Sequence, residues 1–128
     1  MQKILIVDDE SIFREYLRTA LDWEAYGFEL CAEAKNGIEA LEQAELHQPD
    51  IALVDITMPF MDGLTLTEHL KERYPATSVV LITGHNEFDY ARKALKLGVE
   101  DYILKPFSKD ELVLTLLKLQ KEHEKALE

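Results

Sequence analysis

The sequence predicts a doubly wound α/β domain, and three observations predict it. Five short apolar runs recur along the chain, a segment of helical period follows each, and at least four of the runs show little polar alternation. Strands that are apolar on both faces suit a parallel sheet covered on both sides, and parallel neighbours require helical crossovers.

Strands are expected at Ile4 to Val7, Leu30 to Ala34, Ile51 to Val54, Val79 to Ile82 and Tyr102 to Leu104. The first helix is expected after Ser11, on a stripe of Phe13, Tyr16, Leu17, Ala20 and Leu21 at helical spacing. Asn36 is placed to cap the second helix and Asp62-Gly63 to open the third. That third helix must stop by Tyr74, because Pro75 disfavours helical geometry in the residue before it. Asn86 or Glu87 opens a fourth that runs to Leu97, with Gly98 as its stop. Ser108 caps a fifth, and Glu111 three residues on makes a capping box. Right-handed crossovers turn this (βα)5 pattern into a flavodoxin-like sheet of order 2-1-3-4-5 with helices on both faces.

Composition narrows the function. At 128 residues, 47% hydrophobic and 30% charged, the chain reads as a single domain spanning 1–128 with a real core. It carries no apolar run of membrane-spanning length, and its lone Cys31 suits a reducing cytoplasm. A net charge of -11 repels phosphate backbones, so nucleic-acid binding by this chain alone is not expected.

The polar residues gather at the strand ends. Asp8, Asp9 and Glu10 follow the first strand, Asp55 the third, Thr83 the fourth and Lys105 the fifth. These are carboxyl ends, where open α/β sheets bind ligands, and the first and third strands are neighbours. Asp8, Asp9 and Asp55 would therefore crowd together and repel one another unless a cation joins them. A hard divalent ion meets that need, Mg²⁺ being the usual one, and it favours an incoming phosphoryl group. Lys105 adds a positive charge, Thr83 a hydroxyl donor, and Asp55 is best placed as the phosphoryl acceptor. Each piece has a plainer reading: an Asp pair caps helices, Asp55 precedes a turn, and Lys-Pro ends a strand. An X-Pro bond at Lys105-Pro106 can also adopt the cis form and fix a tight turn. It is the set of pieces at successive strand ends that argues for a site.

The segments ILIVDDE (4–10), LVDITMPFMDGL (53–64), LITGH (81–85) and DYILKPF (101–107) together resemble the receiver domain of bacterial two-component response regulators. The resemblance covers essentially the whole chain. It implies Asp55 as phosphoacceptor, Asp8, Asp9, Asp55 and the Thr57 backbone carbonyl as Mg²⁺ ligands, Thr83 and Tyr102 as the switch pair, and Lys105 as the phosphate-binding lysine. It implies a sensor histidine kinase as partner, with output through the face of the fourth helix, fifth strand and fifth helix. The stretches 22–37 and 83–95 resemble the subgroup whose receivers precede AraC-type DNA-binding domains, so the chain is either an excised receiver or a stand-alone one. DNA would be reached only through an output domain outside it. His85 and Thr57 occupy the positions that tune dephosphorylation in this family, although His85 also reads as a solvated loop residue.

Six of the eight residues from Leu112 to Leu119 are apolar, which suits either a well-buried helix or a phosphorylation-dependent dimer face. The charged stretch 118–128 reads as an exposed continuation of that helix. A flavin-binding flavodoxin is disfavoured because Asp8-Asp9-Glu10 would repel the flavin phosphate. A haloacid-dehalogenase-type phosphatase is disfavoured because Thr57 stands where its second Asp would be, so no turnover of external substrates is expected. A phosphorylation-independent interaction module with the same fold stays open.

Overall fold

The computed structural model describes residues 1–84 and 88–127; His85 and the expected fourth-helix start at Asn86 or Glu87 lie outside them. The strands are β1 (Gln2–Val7), β2 (Phe28–Ala34), β3 (Ile51–Asp55), β4 (Ser78–Thr83) and β5 (Asp101–Leu104). All pair in parallel in the order β2-β1-β3-β4-β5, as expected. The helices are α1 (Ser11–Ala20), α2 (Gly37–His47), α3 (Gly63–Arg73), α4 (Phe88–Lys96) and α5 (Lys109–Ala126).

The non-alternating strands are explained by two cores, one on each face of the sheet. Leu5, Val7, Ala52, Val54, Val79 and Leu81 point to the side covered by α2, α3 and α4. Their neighbours Ile4, Ile6, Ile51, Leu53, Val80 and Ile82 point to the side covered by α1 and α5. Successive strand residues face opposite ways, so a strand covered twice is apolar at every position.

Helix ends follow local chemistry. The side chains of Asn36, Asp62 and Ser108 accept the backbone N–H groups of Glu39, Thr65 and Glu111. Each satisfies a donor that the first helical turn leaves free. Gly98, at φ 88°, adopts the left-handed backbone that favours glycine after a helix. Ser11 does not cap α1: it is the first helical residue, and the extended residue before it is Glu10. The reason lies in Asp8, whose Oδ1 accepts the Glu10 N–H at 2.8 Å and turns the chain one residue earlier.

Of the expected α1 stripe, Leu17 and Leu21 are buried, while Tyr16 lies at its exposed edge. A 3₁₀ turn at Trp23–Tyr26, which the helical and strand periods do not signal, connects α1 to β2. It buries Trp23, whose indole N–H donates to the Leu17 carbonyl at 3.0 Å. In α5, Leu112, Leu116 and Leu119 are buried while Leu114 is 69% exposed, so one stripe closes the core and leaves a leucine outside it. The helix does continue through the charged tail, but not as a free end. Gln120 donates to the Tyr26 carbonyl at 2.7 Å, and His123 shares a 2.9 Å hydrogen bond with the Ser78 hydroxyl.

Candidate functional site

The carboxyl ends of β1, β3, β4 and β5 converge on one acidic pocket. Asp8, directly after β1, is 1% exposed, and Asp55, the last residue of β3, is 6% exposed. Lys105 directly follows β5, and its Nζ stands 3.6 Å from Asp8 Oδ2 and 3.6 Å from Asp55 Oδ1. The Lys105-Pro106 peptide is cis, as the sequence allows. Lys105 N–H donates to the Thr83 carbonyl at 2.6 Å, so the lysine loop is tied to the end of β4.

Burial dominates the electrostatics. Desolvation, followed by the negative charge of Asp8, pushes the Asp55 carboxyl up to about 7, against the opposing pull of Lys105. Asp8 is also raised by burial, which outweighs the Glu10 N–H and the lysine. Two buried carboxylates sharing one ammonium are short of positive charge.

The donor set fits a divalent cation. Asp8, Asp9 and Glu10 each bring a carboxylate oxygen within 4.8 Å of the others. Asp8 Oδ2 is buried without a hydrogen bond, leaving a lone pair for a cation. Carboxylate oxygens are the ligands a hard ion such as Mg²⁺ selects. Glu10, part of this close trio, belongs to the acidic run noted in the sequence but not to the ligand set the resemblance implies.

The other expected residues fall around this centre. Thr57 is exposed, two residues past Asp55 in the loop before α3. Thr83 is fully buried at the end of β4, and its hydroxyl donates to the Gly84 carbonyl at 3.4 Å. Tyr102, half-buried on β5, packs against the core beneath α2, α3 and α4.

Three contributors escape a reading by strand ends. Arg14, on α1, donates to the Asp8 carbonyl and pairs with Glu33 of β2 at 3.2 Å. The Phe13 ring lies under Lys105, with Nζ 4.2 Å from its centroid. Gly63 opens α3 so close to β3 that an added Cβ would stand 2.6 Å from the Asp55 carbonyl oxygen and 2.7 Å from Ile56 Cα. Arg14 follows Asp9 by five residues, and no strand-end or capping signal in the sequence ties it to the acid pair.

The family model for the response regulator receiver domain matches residues 4–117. The chain belongs to that family. Among solved structures it is similar to the receiver domain of AraT, a response regulator from Geobacillus stearothermophilus, with TM-score 0.93 and 42% identity over 99% of this chain and 98% of that one. A two-component transcriptional regulator AraC from Clostridium phytofermentans gives TM-score 0.89 and 32% identity, covering 97% of this chain and 98% of that one. Among curated proteins it is 37% identical to the uncharacterized transcriptional regulatory protein YesN of Bacillus subtilis, over 98% of this chain but only 36% of YesN. The receiver resemblance read from the motifs, including its leaning toward AraC-type regulators, therefore holds. Receiver domains are signalling modules of two-component systems, and no helix among the described residues is long and apolar enough to cross a membrane.

Proposed function

We propose that this receiver accepts a phosphoryl group on Asp55 from a sensor histidine kinase. The observation that carries the reading is one ammonium, Lys105 Nζ, set 3.6 Å from each of two buried carboxylates at the sheet's carboxyl edge. That arrangement lacks the positive charge that a phosphoryl transfer also needs.

Asp55 supplies the nucleophilic oxygen, which attacks phosphorus in line. A new O–P bond forms as the P–N bond to the kinase histidine breaks, and the imidazole nitrogen keeps that electron pair. Lys105 pairs with the oxygens of the resulting aspartyl phosphate, and the Thr83 hydroxyl, at the end of the strand that neighbours Asp55's, turns toward them. Asp8, Asp9, Asp55 and the Thr57 carbonyl would hold Mg²⁺, with Glu10 beside them. Bound there, Mg²⁺ supplies positive charge for the transferring oxygens. The chain acts only on its own carboxylate, so it is a self-modifying switch and not an enzyme for external substrates.

Output follows from Thr83 and Tyr102. As Thr83 engages the phosphoryl group, Tyr102 turns inward and alters the face of α4, β5 and α5, which carries the exposed Leu114 and serves as a phosphorylation-dependent dimer face. The chain spans about a third of YesN, and DNA contact belongs to an output domain of that kind. The working compartment is the cytoplasm, where unpaired Cys31 stays reduced.

Intact-protein mass after incubation with acetyl phosphate tests the reading. A single Mg²⁺-dependent adduct, absent from Asp55→Asn, is expected. An adduct persisting in that variant would move the acceptor elsewhere, and no adduct at all would leave an interaction module.

A further inference from the structure

We infer that Phe13 is a positioning residue for Lys105, holding the ammonium over its ring so that it faces both Asp8 and Asp55. Three distances carry this: Nζ lies 4.2 Å from the Phe13 centroid and 3.6 Å from one oxygen of each carboxylate. Contacts of 3.6 Å are too long for hydrogen bonds that would fix a flexible lysine. The negative face of an aromatic ring attracts an ammonium without competing for the protons it offers to oxygen.

The ring is itself fixed. Phe13 meets Phe107 edge to face, with centroids 6.1 Å apart and planes at 89°, and it tilts against Tyr16 at 5.8 Å. Phe107 follows Lys105 by two residues, so one ring braces both the charge and the loop that bears it. On the open side, Tyr16, Pro106 and Phe107 border a cavity of about 450 Å³. A lysine released from Phe13 has room to swing into that space. Leucine at position 13 would keep apolar bulk but remove the ring face, whereas tyrosine would keep it.

The consequence for phosphorylation rests on the reading of Asp55 as acceptor; the positioning itself does not. In metal-free protein carrying ¹³C-labelled lysine, the Lys105 ε-methylene protons should be shifted upfield of the other lysines by the ring current. The signal is identified as the one lost in Lys105→Gln. Phe13→Leu should abolish the upfield shift and Phe13→Tyr should keep it. Mg²⁺-dependent labelling by acetyl phosphate should slow about fivefold in Phe13→Leu and stay within about twofold of wild type in Phe13→Tyr, given the usual strength of cation–π contacts. A Lys105 signal at the position of ordinary lysines, or one unmoved by Phe13→Leu, overturns the inference. Equal labelling rates in all three proteins overturn its role in the site. A wild-type protein that takes no phosphoryl group sinks the acceptor reading, and the proton shift then decides alone whether the ring holds the lysine.

Discussion

Asp55→Asn should make the metal-free fold more stable at pH 8, and much less so at pH 5. Burial and the neighbouring Asp8 raise the Asp55 carboxyl from 3.8 to about 7. A raised carboxyl means that the folded protein holds this proton more tightly than the unfolded chain does. The stability linked to it is therefore complete below about pH 4 and is lost as pH rises through 7. At about 1.4 kcal/mol per pH unit, that rise amounts to roughly 4 kcal/mol of destabilisation at pH 8 and under half as much at pH 5. Asp8 titrates in the same pocket and shares the burden, so a gain of roughly 2–4 kcal/mol is expected for a neutral residue of the same shape. Urea unfolding in the presence of a chelator reads it directly. With slopes of about 1–3 kcal/mol/M, the midpoint should move up by about 1 M or more at pH 8. A variant no more stable than wild type at pH 8 would refute the reasoning. So would one whose advantage is equal at the two pH values.

Mg²⁺ at about ten times its dissociation constant should stabilise wild type by about 1.4 kcal/mol. The gain should be largely absent in Asp8→Ala, as read by thermal unfolding. Gly63→Ala should cost about 1–3 kcal/mol, because its Cβ meets the backbone of β3 and not a side chain able to step aside. Chemical denaturation would show the loss, and an unchanged midpoint would mean that α3 can slide away from Asp55. Ser78→Ala should cost about 0.5–1.5 kcal/mol. It should also speed amide exchange from Gln120 to Ala126, while exchange near Ser108 stays at the wild-type rate.

Much of the fold is legible because its decisive signals are local. Asn36, Asp62 and Ser108 each announce a helix start in their own side chain, and the structure has all three as caps. Ile51 to Val54 are apolar throughout because α3 and α5 lie on opposite faces of the same strand. Ser11 does mark the start of α1, but not as its cap, because Asp8 makes the turn first. The polar site residues are readable because strand ends in a parallel sheet share an edge, so Asp8, Asp55 and Lys105 meet although far apart in sequence. Phe13 and Arg14 are hidden for the converse reason. Phe13 sits in a helical stripe and looks like core, and Arg14 looks like surface charge. Only the docking of α1 beside β1 turns one toward Lys105 and the other toward the Asp8 carbonyl.

The attachment of the α5 tail has a mechanical consequence. Eighteen residues make a helix of about 27 Å. One end begins just after the loop that bears Lys105, and toward the other Gln120 and His123 are fastened to the Tyr26 carbonyl and to Ser78. A rod fastened near one end and pushed at the other pivots more easily than it slides. A shift of the lysine loop by a fraction of an ångström would thus reach α5 as a change of angle, its displacement greatest at Lys109, smaller at Leu114 and fading toward the fulcrum. Whatever is carried beyond Ala126 would feel a change of direction far more than a change of distance.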